Sequence, residues 1–287
     1  PRALLMVPSV YGKIEYALNV ILTGDTIILE EGNYEESIVF DASLNLTNIT
    51  IGSEFLLDGD TTHISKTTLK HKNENDVVIE LRGTSNTFNI AGISFSNNTR
   101  GGIWSPSGSN TLNIDHCIFE NNNMPHSYQN RMDGNHGLIR AVNTTTNISN
   151  TIFRNNTLSW ENWSSSYSYA ALGGAIRFTT NDPVLSIENC IFDNNFAEHS
   201  GGAIIVSATS NVQISRKVLL INKTFFLNNS VGTDNSNPSN GGAIYLSNAS
   251  GEILNSVFVG NQAHGGAVLD YASGGELIFR HNTVYKN

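Results

Sequence analysis

Charge is scarce in this chain: 14% of its 287 residues are Asp, Glu, Lys or Arg, and 25 acids outnumber 16 Lys and Arg. Nucleic-acid surfaces need clustered Lys and Arg, so a net charge of −9 excludes that class of partner. No apolar run reaches the roughly 18 residues of a membrane-crossing helix. Long helices would need more Ala, Leu, Glu and Lys than are present. The abundant Asn, Ser, Thr and Gly suit short strands joined by polar turns instead. Cysteine is limited to Cys117 and Cys190. The chain opens at Pro1 with neither Met nor a signal peptide, and so reads as a processed product or a fragment.

What is present is repetition. Gly173-Gly174-Ala175-Ile176 recurs at Gly201–Ile204, Gly241–Ile244 and Gly265–Val268, with degenerate copies at Gly101-Gly102-Ile103 and Gly137-Leu138-Ile139. A second signature, Phe-x-x-Asn, alternates with it. It occurs at Phe95–Asn98, Phe119–Asn122, Phe153–Asn156, Phe192–Asn195, Phe226–Asn229, Phe258–Asn261 and Phe279–Asn282. Interleaved repeats of this kind mark stacked coils that bury their apolar faces against one another. Each cysteine lies two residues before its Phe, so both fall in one column: Cys117, Thr151, Cys190, Thr224, Ser256. Two coils separate the thiols, about 9–10 Å at the strand spacing. That exceeds the ~7 Å reach of a disulfide, so two free, buried thiols are expected.

In chain order, the apolar run Ala3–Val7 reads as a first-coil strand or an arm docking on a neighbour. Apolar positions from Tyr11 to Ile21 follow helical spacing, so residues 1–22 form an arm and a short capping helix. A strand within Gly24–Leu29, a turn at Gly32-Asn33 and a strand over Ser37–Phe40 follow. Residues 23–94 are the irregular first coils and 95–287 the regular ones, all within one domain. The segments 123–136, 157–172 and 230–240 are insertions on one edge, where a solenoid places a partner-binding rim.

The opening, a helix followed by Gly24-Asp25-Thr26-Ile27 and Gly32-Asn33-Tyr34, resembles right-handed parallel β-helix proteins of the pectate-lyase-like superfamily. The Gly-Gly-Ala-Ile and Phe-x-x-Asn pairs resemble the passenger repeats of chlamydial polymorphic outer-membrane proteins. The resemblance implies an all-β right-handed parallel β-helix, an extracellular or cell-surface location and adhesin function. Within the superfamily it also implies an alternative, a polysaccharide lyase acting on acidic glycans with an outward Arg as base. Arg140 or Arg177 would serve, with Asp115, His116 and Asp133 near them in sequence. No Asp or Glu set recurs at one outward strand position to hold a cation or hydrolyse a glycoside. His116, His126 and His136 with Asp133 are irregularly spaced for a metal site. The reading is a non-enzyme without cofactor or metal.

Strand alternation sends Ile103, Ile139, Ile176, Ile204, Ile244 and Val268 inward. It sends Trp104, Arg140, Arg177, Ile205, Tyr245 and Leu269 outward, and Trp104, Arg140, Arg177 and Tyr245 are the candidate binding face for a carbohydrate or a host or cell-surface protein. Ten Asn-x-Ser/Thr triplets start at Asn45, Asn48, Asn97, Asn143, Asn147, Asn155, Asn162, Asn222, Asn228 and Asn248, the candidate glycosylation sites. An open last coil after Phe279–Asn282 would expose strand edges and favour self-association, as a filament subunit, with the apolar residues 1–7 of a neighbour as cover.

Overall fold

The computed structural model describes residues 2–41, 46–74, 76–82, 86–106, 108–127, 137–161, 172–208, 216–232, 239–272 and 275–287. Short strands with inward-facing apolar residues at every second position cannot bury those residues alone, and stacking on the next coil does so. The result is a right-handed parallel β-helix. Sheet A holds ten strands, from Leu4–Val7 to Leu277–Arg280. Sheet B holds nine, from Gly32–Glu35 to Thr283–Tyr285, and sheet C eight, from Ile38–Phe40 to Leu269–Ala272. The chain visits A, B and C in turn and rises one rung at each return.

Left-handed residues make the corners. Between A and B, His116, Asn150, Asn189, Lys223, Asn255 and His281 hold φ of 49–56°. After sheet B, Asn97, Asn121, Asn155, Asn194, Asn228 and Lys286 do the same, again at 49–56°. Asn tolerates this region better than other side chains because its amide bonds locally, which accounts for much of its abundance.

The interior is built of columns. Phe95, Phe119, Phe153, Phe192, Phe226 and Phe258 stack with ring centroids 4.5–5.0 Å apart and planes within 6° of parallel. Beside them Asn98, Asn122, Asn156, Asn195, Asn229 and Asn261 are wholly buried. Each donates its Nδ2 to the Oδ1 of the Asn on the next coil, at 2.7–3.0 Å. Cys117 and Cys190 are free and buried. Their backbone N–H groups donate to the hydroxyls of Thr151 and Thr224, as the common column requires.

Three features differ from the sequence reading, and one alternative is decided. The seventh Phe-x-x-Asn is out of register: Phe279 pairs with Ile253 in sheet A, while Val284 lies over Phe258 and Asn287 accepts from Asn261. The last Gly-Gly pair is displaced by one, so Leu269 rather than Val268 lies over Ile244, and Asp270 rather than Leu269 follows Tyr245 on the outer column. Of the two readings of the first apolar run, strand or arm, the structure takes the strand: Leu4–Val7 is the first of sheet A and pairs with Thr26–Leu29. Gly32-Asn33 begins a strand of sheet B rather than forming a turn.

The capping helix α1 is only Ile14–Leu18, with Ile14 and Ala17 buried in the core. Two further short helices, α2 (Phe55–Asp58) and α3 (Thr62–Lys66), fill the corner between A and B on the second coil. The edge insertions begin as strands: Asn123–Ser127, Thr157–Glu161, Phe196–Ala197 and Ser230–Val231 make a fourth sheet, D. They continue the ladder past the Asn corner, where Thr157 N–H donates to Asn122 C=O at 2.8 Å.

Candidate binding face on sheet C

In-register stacking turns each outward position of sheet C into a row. The central row runs Val39, Glu80, Trp104, Arg140, Arg177, Ile205, Tyr245, Asp270, each the Cα partner of the next. All four binding-face candidates therefore share one line, and Trp104 lies directly beside Arg140 and Arg140 beside Arg177. The row is less open than a bare outer face. Glu80 and Ile205 are 8% and 2% exposed, and Trp104, Arg140, Arg177 and Tyr245 are half-buried. Burial draws the Arg177 guanidinium below its ordinary pKa.

At the N-terminal end of this row the surface sinks into a groove of about 490 Å³. Val39, Glu80 and Trp104 line it from the row, and Lys72, Asp76, Arg82 and Arg100 from the flanks. Arg82 donates through Nε and Nη2 to the two oxygens of Glu80, both at 2.7 Å, a bidentate pair that holds both side chains in place. Asp76 is held by Asn73 Nδ2 at 2.7 Å and by the Ser37 hydroxyl at 3.3 Å. The Trp104 indole Nε1 is buried and donates to none of the described residues. An apolar aromatic surface among fixed charges of both signs suits a polar, partly planar ligand.

Glu80, Arg82 and Lys72 were not candidates on sequence. The legible signal was Glu80 itself, an acid at the outward position of the apolar run Val77–Leu81. Among the described residues, those weighed for catalysis are not brought together. Asp115 belongs to a strand of sheet A and His116 to the A–B corner, away from Arg140 and Arg177 on sheet C. Asp115 instead accepts from His116 Nδ1, Ser149 Oγ and Asn150 Nδ2 at 2.7–2.8 Å. Asp133, His136 and the His126 side chain lie outside the described residues.

The triplet asparagines have structural places. Asn48, Asn97, Asn143, Asn155, Asn228 and Asn248 all occupy left-handed corners, at φ of 50–56°. Asn147 stands on the outer face of sheet A, where its Nδ2 donates to Asn113 Oδ1 at 2.9 Å. Asn222 ends a strand of that sheet and donates to Glu188 at 3.2 Å. Asn45 and Asn162 lie outside the described residues. Asn48, Asn97, Asn147, Asn155, Asn228 and Asn248 are exposed.

Residues 189–206 match the Chlamydia polymorphic membrane protein repeat. The matched stretch contains Phe192–Asn195 and Gly201–Ile204, so it spans both signatures of one coil and the sheet D strand between them. No curated protein matches the chain. Eight solved chains do, among them an alginate lyase from Paenibacillus sp. str. FPU-7, 14% identical over 94% of both chains with a TM-score of 0.29. No helix among the described residues is long and apolar enough to cross a membrane.

Proposed function

We propose that this chain is a non-catalytic, extracellular surface domain of the adhesin type, which offers the outer row of sheet C to a carbohydrate or a cell-surface protein. The match of residues 189–206 to the Chlamydia polymorphic membrane protein repeat carries this reading, because that repeat is named for membrane proteins of Chlamydia. The groove around Trp104 supports it: its pairing of an aromatic surface with immobilised charges is a recognition surface that needs no reorganisation to bind. The test is adhesion of the purified protein to cultured host cells and to an array of acidic and neutral glycans. Saturable binding that falls at least tenfold in Trp104→Ala supports the proposal. Release of unsaturated uronates from an acidic glycan, read by ultraviolet absorbance, would overturn it in favour of a lyase.

A further inference from the structure

At the corner between sheets A and B, three carboxylates from two successive coils converge on one imidazole. Glu31 follows the sheet A strand Thr26–Leu29, and Glu54 follows its neighbour on the next coil, Ile49–Ser53. The insertion α2–α3 then folds back over this corner and delivers Asp58 and His63. Among the described residues, Glu31, Glu54 and His63 are the one set of three His, Cys, Asp or Glu side chains whose ligating atoms all lie within 4.8 Å of one another.

We propose that Glu31, Glu54 and His63 Nδ1 form a binding site for a first-row divalent cation, with Asp58 orienting the imidazole from behind. His63 Nδ1 stands 2.9 Å from Glu31 Oε1 and 3.9 Å from Glu54 Oε2. Donors held about 2.0–2.2 Å from a tetrahedral zinc ion lie roughly 3.4 Å from each other, between those two values. The other ring nitrogen, Nε2, faces Asp58 Oδ2 at 3.1 Å. Such a carboxylate–imidazole pair fixes the ring and leaves Nδ1 for the ion.

The supporting Asp58 and the ligand Glu54 are both anchored. Asp58 Oδ1 accepts the Asp60 N–H at 2.8 Å, and Glu54 Oε2 accepts the Glu31 N–H at 3.2 Å. One nitrogen with two carboxylates suits zinc and its first-row neighbours and not calcium, which takes oxygen alone. The buried thiols Cys117 and Cys190 offer no competing ligand. A cation entering here displaces the Nδ1 proton and the Lys66 ammonium, which otherwise sits 2.9 Å from Glu31 Oε1.

Isothermal titration of the 287-residue protein with Zn²⁺ at neutral pH tests the site. One ion should bind per chain. Affinity should be lost in His63→Ala, fall about tenfold or more in Glu54→Gln and in Asp58→Asn, and rise in Lys66→Gln, which removes the competing cation. Absence of binding, or stoichiometric binding that persists in His63→Ala, overturns the proposal. Should His63→Ala lose its β-sheet circular dichroism, Lys66→Gln decides: tighter binding supports the site and unchanged affinity refutes it.

Discussion

Asn156 Nδ2 donates to Asn195 Oδ1 at 2.9 Å, and the same amide nitrogen donates to the carbonyl of Phe119 on the preceding coil at 2.9 Å. Its Oδ1 in turn accepts from Asn122 Nδ2 and from the Asn122 N–H, at 2.8 and 3.2 Å. One fully buried amide thus satisfies backbone groups that the turn out of sheet B removes from the ladder.

Replacing Asn156 by Leu should therefore cost more than a single hydrogen bond. It leaves the Asn122 N–H, the Phe119 carbonyl and two neighbouring side-chain amides short of a partner in a dry interior. A loss on the order of 3 kcal/mol is expected. Guanidine unfolding followed by circular dichroism checks it. A change within about 0.5 kcal/mol would show that the ladder is dispensable.

The two thiols give a second expectation. Burial pushes both Cys117 and Cys190 up to about 12, so neither supplies thiolate at neutral pH. A thiol reagent such as Ellman's should find neither in the native protein and both in 6 M guanidine (roughly the concentration that unfolds even very stable domains). The same column holds Thr151, Thr224 and Ser256 on other coils, where the hydroxyls return hydrogen bonds to backbone carbonyls two residues earlier. Cys190→Thr should accordingly cost no more than about 1 kcal/mol, because the position already accepts that side chain.

Most of the solenoid was legible because identical residues recur at identical places: the Phe stack, the Asn ladder and the thiol column all follow from register alone. The reading failed where a motif was spelled by chance. Phe279 and Asn282 have the right spacing but belong to the Ile253 row and the Ser256 column. Coil length carried the warning. The coil ending at Asn287 spans 26 residues from Asn261, against 24 for Asn98 to Asn122. Phe258 to Phe279 is only 21. Helices α2 and α3 and the His63 cluster were not legible, since four- and five-residue helices have too few turns for a periodic pattern. Sheet D escaped because its two- and five-residue strands sit in Asn- and Ser-rich segments that read as loop, although Thr157–Glu161 does alternate polar and apolar residues. The outer row of sheet C was legible as a row. Its half-burial was not, because alternation says which way a side chain points and nothing about what lies over it.

Acid should act through Asp115. Burial pushes its carboxyl up, but hydrogen bonds from Ser149, His116 and Asn150 outweigh that, and its pKa falls below the ordinary 3.8. A carboxyl depressed by folding contributes stability that is fully present above its unfolded value and lost as pH falls through its folded one. Asp115→Asn should thus be less stable than the parent at pH 7, with the gap closing below about pH 4. Melting temperatures of both proteins from pH 7 to pH 2.5 (about the span over which carboxylates protonate) check the sign. A gap that widens in acid would contradict it.

Two glycines should respond in opposite ways to substitution. Gly202 has an ordinary φ, yet a Cβ there would meet Gly242 O at 2.1 Å and Ser230 O at 2.6 Å, both backbone atoms of neighbouring coils. Gly174 and Gly242 show the same approach, at 2.2 and 2.4 Å, so the second glycine of these three pairs is required by the closeness of successive coils. Gly202→Ala must push rungs apart and should lose about 3 kcal/mol. Gly260 is different. Its φ of 67° is left-handed, and it occupies the corner held by Asn155, Asn194 and Asn228 on the coils before it. The nearest atom to a Cβ there is the Asn228 side-chain oxygen at 2.5 Å, the end of a side chain that can turn away. Gly260→Asn should be neutral, or stabilise by up to about 0.5 kcal/mol by restricting the unfolded chain, and it would extend the outer asparagine row by one. Urea midpoints of the two variants decide the matter, and equal losses in both would mean that coil spacing is not what selects glycine at position 202.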